Sequence, residues 1–186
     1  MENPIYPKTR FAWRAWLKKN YKTKKEVWLL YPHRSTGRPR VEYNDAVEEA
    51  LCFGWIDSQV RNISPESAAQ RFSPRTPKTS YSQANIERLT ALYKGGKLVP
   101  EVKAKVKDII LVKFRFPNDI IKELKRDKEV WKNYSKFPAA YKRIRVAFIE
   151  GARNRPAEFK KRLAYLIRMT KKGKTFGFGG VEKYYV

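Results

Sequence analysis

Apolar side chains recur at two different spacings along the chain, and the elements follow from them. In "TRFAWRAWLKKN" (residues 9–20), Phe11, Trp13, Trp16 and Leu17 predict a short helix, with Thr9 as N-cap and Asn20 as stop. "EVWLLY" (26–31) is a short apolar and aromatic run ended by Pro32, which predicts a strand. "STGRPR" follows as a loop. "YNDAVEEALCFG" predicts a second helix, opening near Asn44 or Asp45 and closing at Gly54. "WIDSQVRNI" (55–63) then alternates, "SPES" turns the chain, and "AAQRFSPR" runs back before Pro74 and Pro77. This predicts a hairpin, with the Trp28 strand as a third member of the sheet.

Beyond Ser80 the spacing is helical. "SQANIERLTALYKGGK" starts at Ser82 as N-cap and stops at Gly95-Gly96. Residues 101–114 and 119–134 predict two or three shorter helices. Tyr141, Ile144, Phe148 and Ala152 mark another helix, and Phe159, Leu163, Leu166 and Ile167 the last, with Pro156 in its first turn. No internal repeat is present. The expected architecture is a single α+β domain over residues 1–172: a small antiparallel sheet near the N-terminus, packed with a mostly helical C-terminal half. A glycine-rich, aromatic tail occupies 173–186.

Composition narrows the class. A chain of 186 residues can bury a real core. No apolar run reaches the length of a membrane helix. The N-terminal residues lack the apolar stretch of a secretory leader, so a cytoplasmic protein is expected. One cysteine cannot form an intramolecular disulfide. Charge changes the picture most: 42 Lys and Arg oppose 18 Asp and Glu, a net +24. Such an excess favours an anionic partner, whether nucleic acid, acidic lipid surface or acidic protein. Residues 136–186 carry 14 of these cations against 3 acids.

Most catalytic chemistry fails at the level of residue types. One histidine, His33, and one cysteine cannot make a zinc cluster, and the acids show no calcium-loop pattern, so no cofactor or metal is expected. "GKT" at 173–175 lacks the upstream glycine of a phosphate loop, with Arg168 in that place. "GFGGVE" has Glu182 where a dinucleotide loop needs its third glycine. Cys52 has Glu48 and Glu49 one turn back and lies in the last turn of its helix. Carboxylates and the negative helix end both oppose a thiolate, so Cys52 reads as a small packed hydrophobe. Asp57 has two readings. It forms a structural bridge or cap with Arg61, Arg71 or Arg75, or it joins Trp55, those arginines, Ser80, Tyr81 and Asn85 in a pocket for a small anionic ligand. Cations form a second candidate set for anion binding: Lys142 and Arg143, then Lys160, Lys161, Arg168, Lys171 and Lys172 lying off the apolar stripe of the last helix, where an ordinary solvated face is the preferred alternative. In "KNYSKFPAAYKRIR" aromatic and basic residues interleave. That suits stacking with phosphate contact, and equally a helix with an aromatic core side and a basic wet side.

"EVWLLYPHRSTG", "YNDAVEEALCFGWIDSQVRNI", "QRFSPRTPKTSYSQANIERL" and "FPAAYKRIRVAFIEGAR" together resemble the YdeI/OmpD-associated, or bacteriocin-protection, family over about residues 9–170. Two departures stand out: Tyr81 replaces a usual tryptophan, and "VKDIILVKFRF" does not carry the family's usual motif. The resemblance implies a small bacterial stress protein linked to protection against bacteriocins or cationic peptides, with no catalytic mechanism attached. Its signature falls on Cys52, Gly54, Trp55, Asp57, Arg75, Ser80, Asn85, Tyr141, Lys142 and Arg143. A protein of charge +24 repels cationic peptides, so any protection is expected to run through an anionic partner. The leading expectation is thus a non-enzymatic protection protein. A pocket protein or enzyme at Trp55, Asp57 and Arg75 is the alternative.

Overall fold

A computed structural model describes residues 4–76, 80–177 and 181–184. The chain divides into two compact units, Met1–Ser80 with Leu89–Lys107, and Tyr81–Arg88 with Asp108–Val186. Among the described residues there are one three-stranded antiparallel sheet and eight α-helices, an α+β protein with its strands in the N-terminal half.

The first unit opens with helix α1 (Arg10–Asn20), whose cap is the expected one: the Thr9 side chain accepts from the Ala12 N–H. Trp13 and Leu17 are fully buried, each contributing roughly 2–3 kcal/mol. Phe11 is 82% exposed instead. Two positions from Trp13 is about 200° around a helix, so Phe11 faces away from the buried side. Strand β1 (Val27–Pro32) follows, then a 3₁₀ turn within the predicted loop (Arg34–Thr36) and helix α2 (Tyr43–Cys52). Gly54 ends that helix at φ +74°, and a Cβ there would come within 3.1 Å of Val102. Both the turn and the close approach require glycine.

Strands β2 (Trp55–Ser64) and β3 (Ser67–Pro74) form the predicted hairpin, and β1 pairs with the far side of β3, giving the order β1-β3-β2. The ladder slips twice, between Asp57 and Val60 and between Asn62 and Ser64. Val27, Leu29 and Phe72 bury one face, with Trp13 packed on Phe72 at 5.3 Å between ring centres. From Ser58 onward β2 is exposed, as an edge strand with few apolar partners can be. The Pro77 end of the following loop lies outside the described residues, as do residues 178–180 and 185–186 of the tail. Helix α3 (Gln83–Lys94) gives its early residues to the second unit and its later ones to the first, and α4 (Pro100–Leu111) belongs mainly to the first.

The second unit is helical. Helices α5 (Asn118–Lys125) and α6 (Lys128–Lys136) are separated by Asp127, whose carboxylate caps α6 by accepting from the Glu129 and Val130 N–H groups. Helices α7 (Ala139–Glu150) and α8 (Pro156–Lys171) complete it. The core joins Ile120, Leu124, Val130, Tyr134, Val146, Ile149 and Leu166. Phe159, Leu163 and Ile167 pack against it half-buried, so the predicted stripe of α8 is the side that faces the core. On α7, Tyr141 and Ile144 are buried as expected, as is Ala152 in the turn beyond its end, but Phe148 is 39% exposed.

Candidate anion-binding site

The sequence-derived pocket residues divide between the units and between the two faces of the sheet. Trp55 is buried, and its indole N–H donates to the Tyr21 carbonyl. Asp57 accepts from the Tyr43 hydroxyl at 2.9 Å and from the Gln70 amide at 2.8 Å. Arg71 donates twice to Glu26, at 2.7 and 2.9 Å. The reason is the pleat: Asp57 pairs with Phe72, so Gln70 shares its face while Arg71 points to the other. Arg61 lies 5.0 Å from the Trp28 ring centre. Arg75 donates to the Ser80 carbonyl, and its own N–H donates to that of Gly54. Tyr81 and Asn85 belong to the second unit, where the Asn85 side chain accepts from Arg88.

Cys52 is fully buried. Burial first, and then the Glu49 charge, push its thiol up to about 11 despite the opposing Arg14. A thiol held in that state is a packing group.

In the second unit, α7, α8 and the segment after α8 border an open cleft of about 750 Å³. Arg145 and Phe148 line it from α7, and Lys161, Arg162, Tyr165 and Arg168 from α8. Phe176 and Gly177 close one side. The spacing explains the convergence. Tyr141, Arg145 and Phe148 fall at i, i+4 and i+7, on one face of α7. Lys161, Tyr165 and Arg168 do the same on α8, beside its apolar stripe.

Arg145 is the unusual member. It is only 5% exposed, and its Nε has no hydrogen-bond partner among the described residues. Its surroundings are rings: Tyr141 and Phe148 each at 5.9 Å, and Phe176 at 5.4 Å. Each such contact is worth about 0.5–2 kcal/mol, which offsets part of the cost of removing a guanidinium from water. It does not satisfy the N–H groups. A Cβ on Gly177 would lie 2.9 Å from the guanidinium, so only glycine lets the chain pass so close at its φ of +151°.

The neighbouring cations are held differently. Arg162 donates to Glu158 and to the Phe148 carbonyl, both at 2.7 Å, and lies 3.8 Å from the Phe148 ring centre. Glu158 is the one acid among the described lining residues, and the Arg162 hydrogen bond, with the charge beside it, keeps its carboxyl below the usual range. Arg168 sits over Tyr165 at 4.9 Å, and Tyr165 meets Phe176 edge-on at 4.6 Å. Four cations thus face one carboxylate across a cleft walled by aromatic rings.

Of the seven predicted anion-binding residues, Lys161 and Arg168 line this cleft. Arg143 is tied to Glu87 by two bonds of 2.7 and 2.8 Å, and Lys171 to Asp127 at 2.8 Å. Lys142 donates to the Ser135 carbonyl. Lys160 and Lys172 are exposed and stand off the lining. Sequence reasoning had no role for Phe148, Arg162, Tyr165 or Phe176 here, and left Arg145 open between phosphate contact and a basic wet side. One signal was available: an arginine at core spacing between Tyr141 and Phe148.

Among the described residues no helix is long and apolar enough to cross a membrane. Residues 5–105 match a family model described as a domain of unknown function (DUF8412). Residues 113–173, which hold the α7 and α8 walls of the cleft, match the model for bacteriocin-protection, YdeI or OmpD-associated proteins. Neither a curated protein nor a solved structure matches the chain. The first match covers more than half of the sequence, so the chain belongs to the DUF8412 family, while residues 113–173 of its second half are similar to bacteriocin-protection, YdeI or OmpD-associated proteins.

Proposed function

We propose that this is a non-enzymatic bacterial protection protein that acts by holding an anionic partner in the α7–α8 cleft. One observation carries the reading: Arg145 is buried in that cleft and forms no ion pair with an acid among the described residues, while three further cations face the same space. A buried charge is stable only when paired, and an anion entering the cleft supplies the pair. Glu158, bonded to Arg162, suits a fixed wall better than a proton donor. The family supports the protection role, and the charge of +24 supports an anion rather than a cationic peptide as the thing bound. The small-ligand reading around Asp57 has less support, since Asp57, Trp55 and Arg71 already have partners within the fold.

The test is calorimetric titration with tripolyphosphate and with heparin from low to physiological salt. Binding that weakens steeply with salt and drops in Arg145→Met is expected. Absence of binding at low salt, or binding indifferent to Arg145, overturns the proposal.

A further inference from the structure

The cleft offers more than charge, and its remaining features describe the body of the ligand. At about 750 Å³ it is far larger than a bare phosphate or sulfate ion needs, and it falls within the range of sites for small organic molecules, roughly 300–1,000 Å³. Much of its wall is aromatic. Phe148 and Tyr165 are each 39% exposed, and Tyr165 and Phe176 meet at 86°. Two rings set perpendicular form a corner in which a flat ligand ring stacks on one and meets the edge of the other. Arginines lie over both exposed rings, Arg162 over Phe148 and Arg168 over Tyr165. A guanidinium in that position also stacks on an inserted base. Glu158 adds an acidic acceptor to the lining, suited to an exocyclic amine or a sugar hydroxyl.

We propose that the cleft binds a nucleoside phosphate unit, with the phosphate on Arg145 and the base in the corner made by Tyr165 and Phe176. The proposal rests on the anion-binding reading above and specifies its ligand. Arg145 provides the fork of donors that a phosphate accepts in pairs. Lys161 and Arg168 neutralise the remaining charge, and the rings give affinity to the base without reading its identity, because every base presents a π-face. The unit is the same in a free mononucleotide and at the 5′ end of a nucleic acid.

The experiment is calorimetric titration of the full chain at about 50 mM salt, where phosphate contacts are little screened. The ligands are the four ribonucleoside monophosphates, the matching nucleosides, ribose 5-phosphate, inorganic phosphate, tripolyphosphate, and a trinucleotide with and without a 5′-phosphate. Monophosphates or the 5′-phosphorylated trinucleotide should bind at least tenfold tighter than ribose 5-phosphate, inorganic phosphate or the nucleosides. Which of the two binds tighter assigns the source. Arg145→Met should lose tenfold or more. Tyr165→Leu, at a half-exposed position that folding tolerates, should weaken nucleotides several-fold and leave tripolyphosphate unchanged. If nucleotides bind no better than ribose 5-phosphate while tripolyphosphate binds through Arg145, the nucleotide proposal falls and the anion reading stands. If tripolyphosphate also fails, both fall. Equal binding of the unphosphorylated trinucleotide overturns the phosphate assignment.

Discussion

Arginines meet buried surface in each of the two units, and they do so on different terms. In the first, Arg10 bonds Asp45 and Glu49 at 2.6 Å and reaches Glu48 at 3.1 Å, while Arg14 bonds Glu49 at 2.5 Å. Glu48 and Glu49 are nearly fully buried, and both guanidiniums remain about one-third exposed. Burial works against the Arg10 charge, but its three acids outweigh it and the net shift is upward. In the second unit Arg145 is the more buried cation, and it has rings in place of acids. The first cluster closes on itself and joins α1 to α2. The second has donors left over, facing a cleft. Whether a buried cation has its counter-charge inside the chain separates a fastening from a site.

Removing an acid from the closed cluster should do the greatest damage. Glu49→Ala takes from Arg10 and Arg14 the acid they share, leaving Arg10 with Asp45 and Glu48 and Arg14 with the Lys97 carbonyl, and we expect a loss of about 2 kcal/mol, below the full buried-pair range because water still reaches both arginines. Urea unfolding with an unchanged slope measures it. A loss under about 0.5 kcal/mol, the range of ordinary surface substitutions, would break the comparison. Arg145→Met is the opposite case. Replacing an unpaired buried charge by an apolar chain of similar length should leave urea stability unchanged or raise it by up to about 2 kcal/mol, while affinity for tripolyphosphate falls at least tenfold. A protein both weaker in urea and unchanged in binding would make Arg145 a structural group.

Gly177→Ala perturbs the same guanidinium without removing it. Strain of about 1 kcal/mol at this φ should appear as a urea-stability loss of about that size, and displacement of the guanidinium should weaken tripolyphosphate binding by titration. Acid titration sharpens the paired side within the second unit. Burial alone would raise the carboxyl of Glu87, but hydrogen bonds from Arg143 and Gln83, with the Arg143 charge, outweigh it and the net shift is downward. The unfolded chain then binds the proton first as pH falls. The stability this gives is complete above the ordinary carboxyl pKa of about 4.3 and fades as pH drops through the lower folded value. Thermal melts from pH 6 to 3 should show Arg143→Met losing part of that acid sensitivity. The smallest effect belongs to Lys160→Ala and Lys172→Ala. Stability should stay within about 0.5 kcal/mol. Tripolyphosphate binding should hold, and only the salt slope on heparin should fall, by about 0.9 for each cation that touches the polymer.

Local features of the fold were legible because neighbours in sequence decide them. Thr9 caps α1, Gly54 ends α2, Ser64 to Ser67 turn the hairpin, and Glu49 near Cys52 indicates an unreactive thiol. Asp57 was not legible in the same way. Its distance along the chain to Arg61, Arg71 and Arg75 is short, but the register and the alternation of β3 decide which side chains share its face, and they deliver Gln70. Arg145 was hidden by its company. In "YKRIR" it looks like one more solvated cation, whereas the helical period sets it between Tyr141 and Phe148 and turns it inward. Lys161 and Arg168 could be read as lying off the core stripe of α8. That the space beside them has a further wall depends on Phe176 and Gly177 folding back, which no local pattern in the tail specifies.

That returning segment has a consequence for how such a protein diversifies. The floor and two walls of the cleft lie on helices inside the span matched by the bacteriocin-protection model, while Phe176 and Gly177 lie just beyond it. The helices fix where charge is presented, and a few residues of trailing chain decide what shape of molecule may rest against it. A relative that kept α7 and α8 but exchanged those few residues would keep the same cations in place and change the shape of the space beside them.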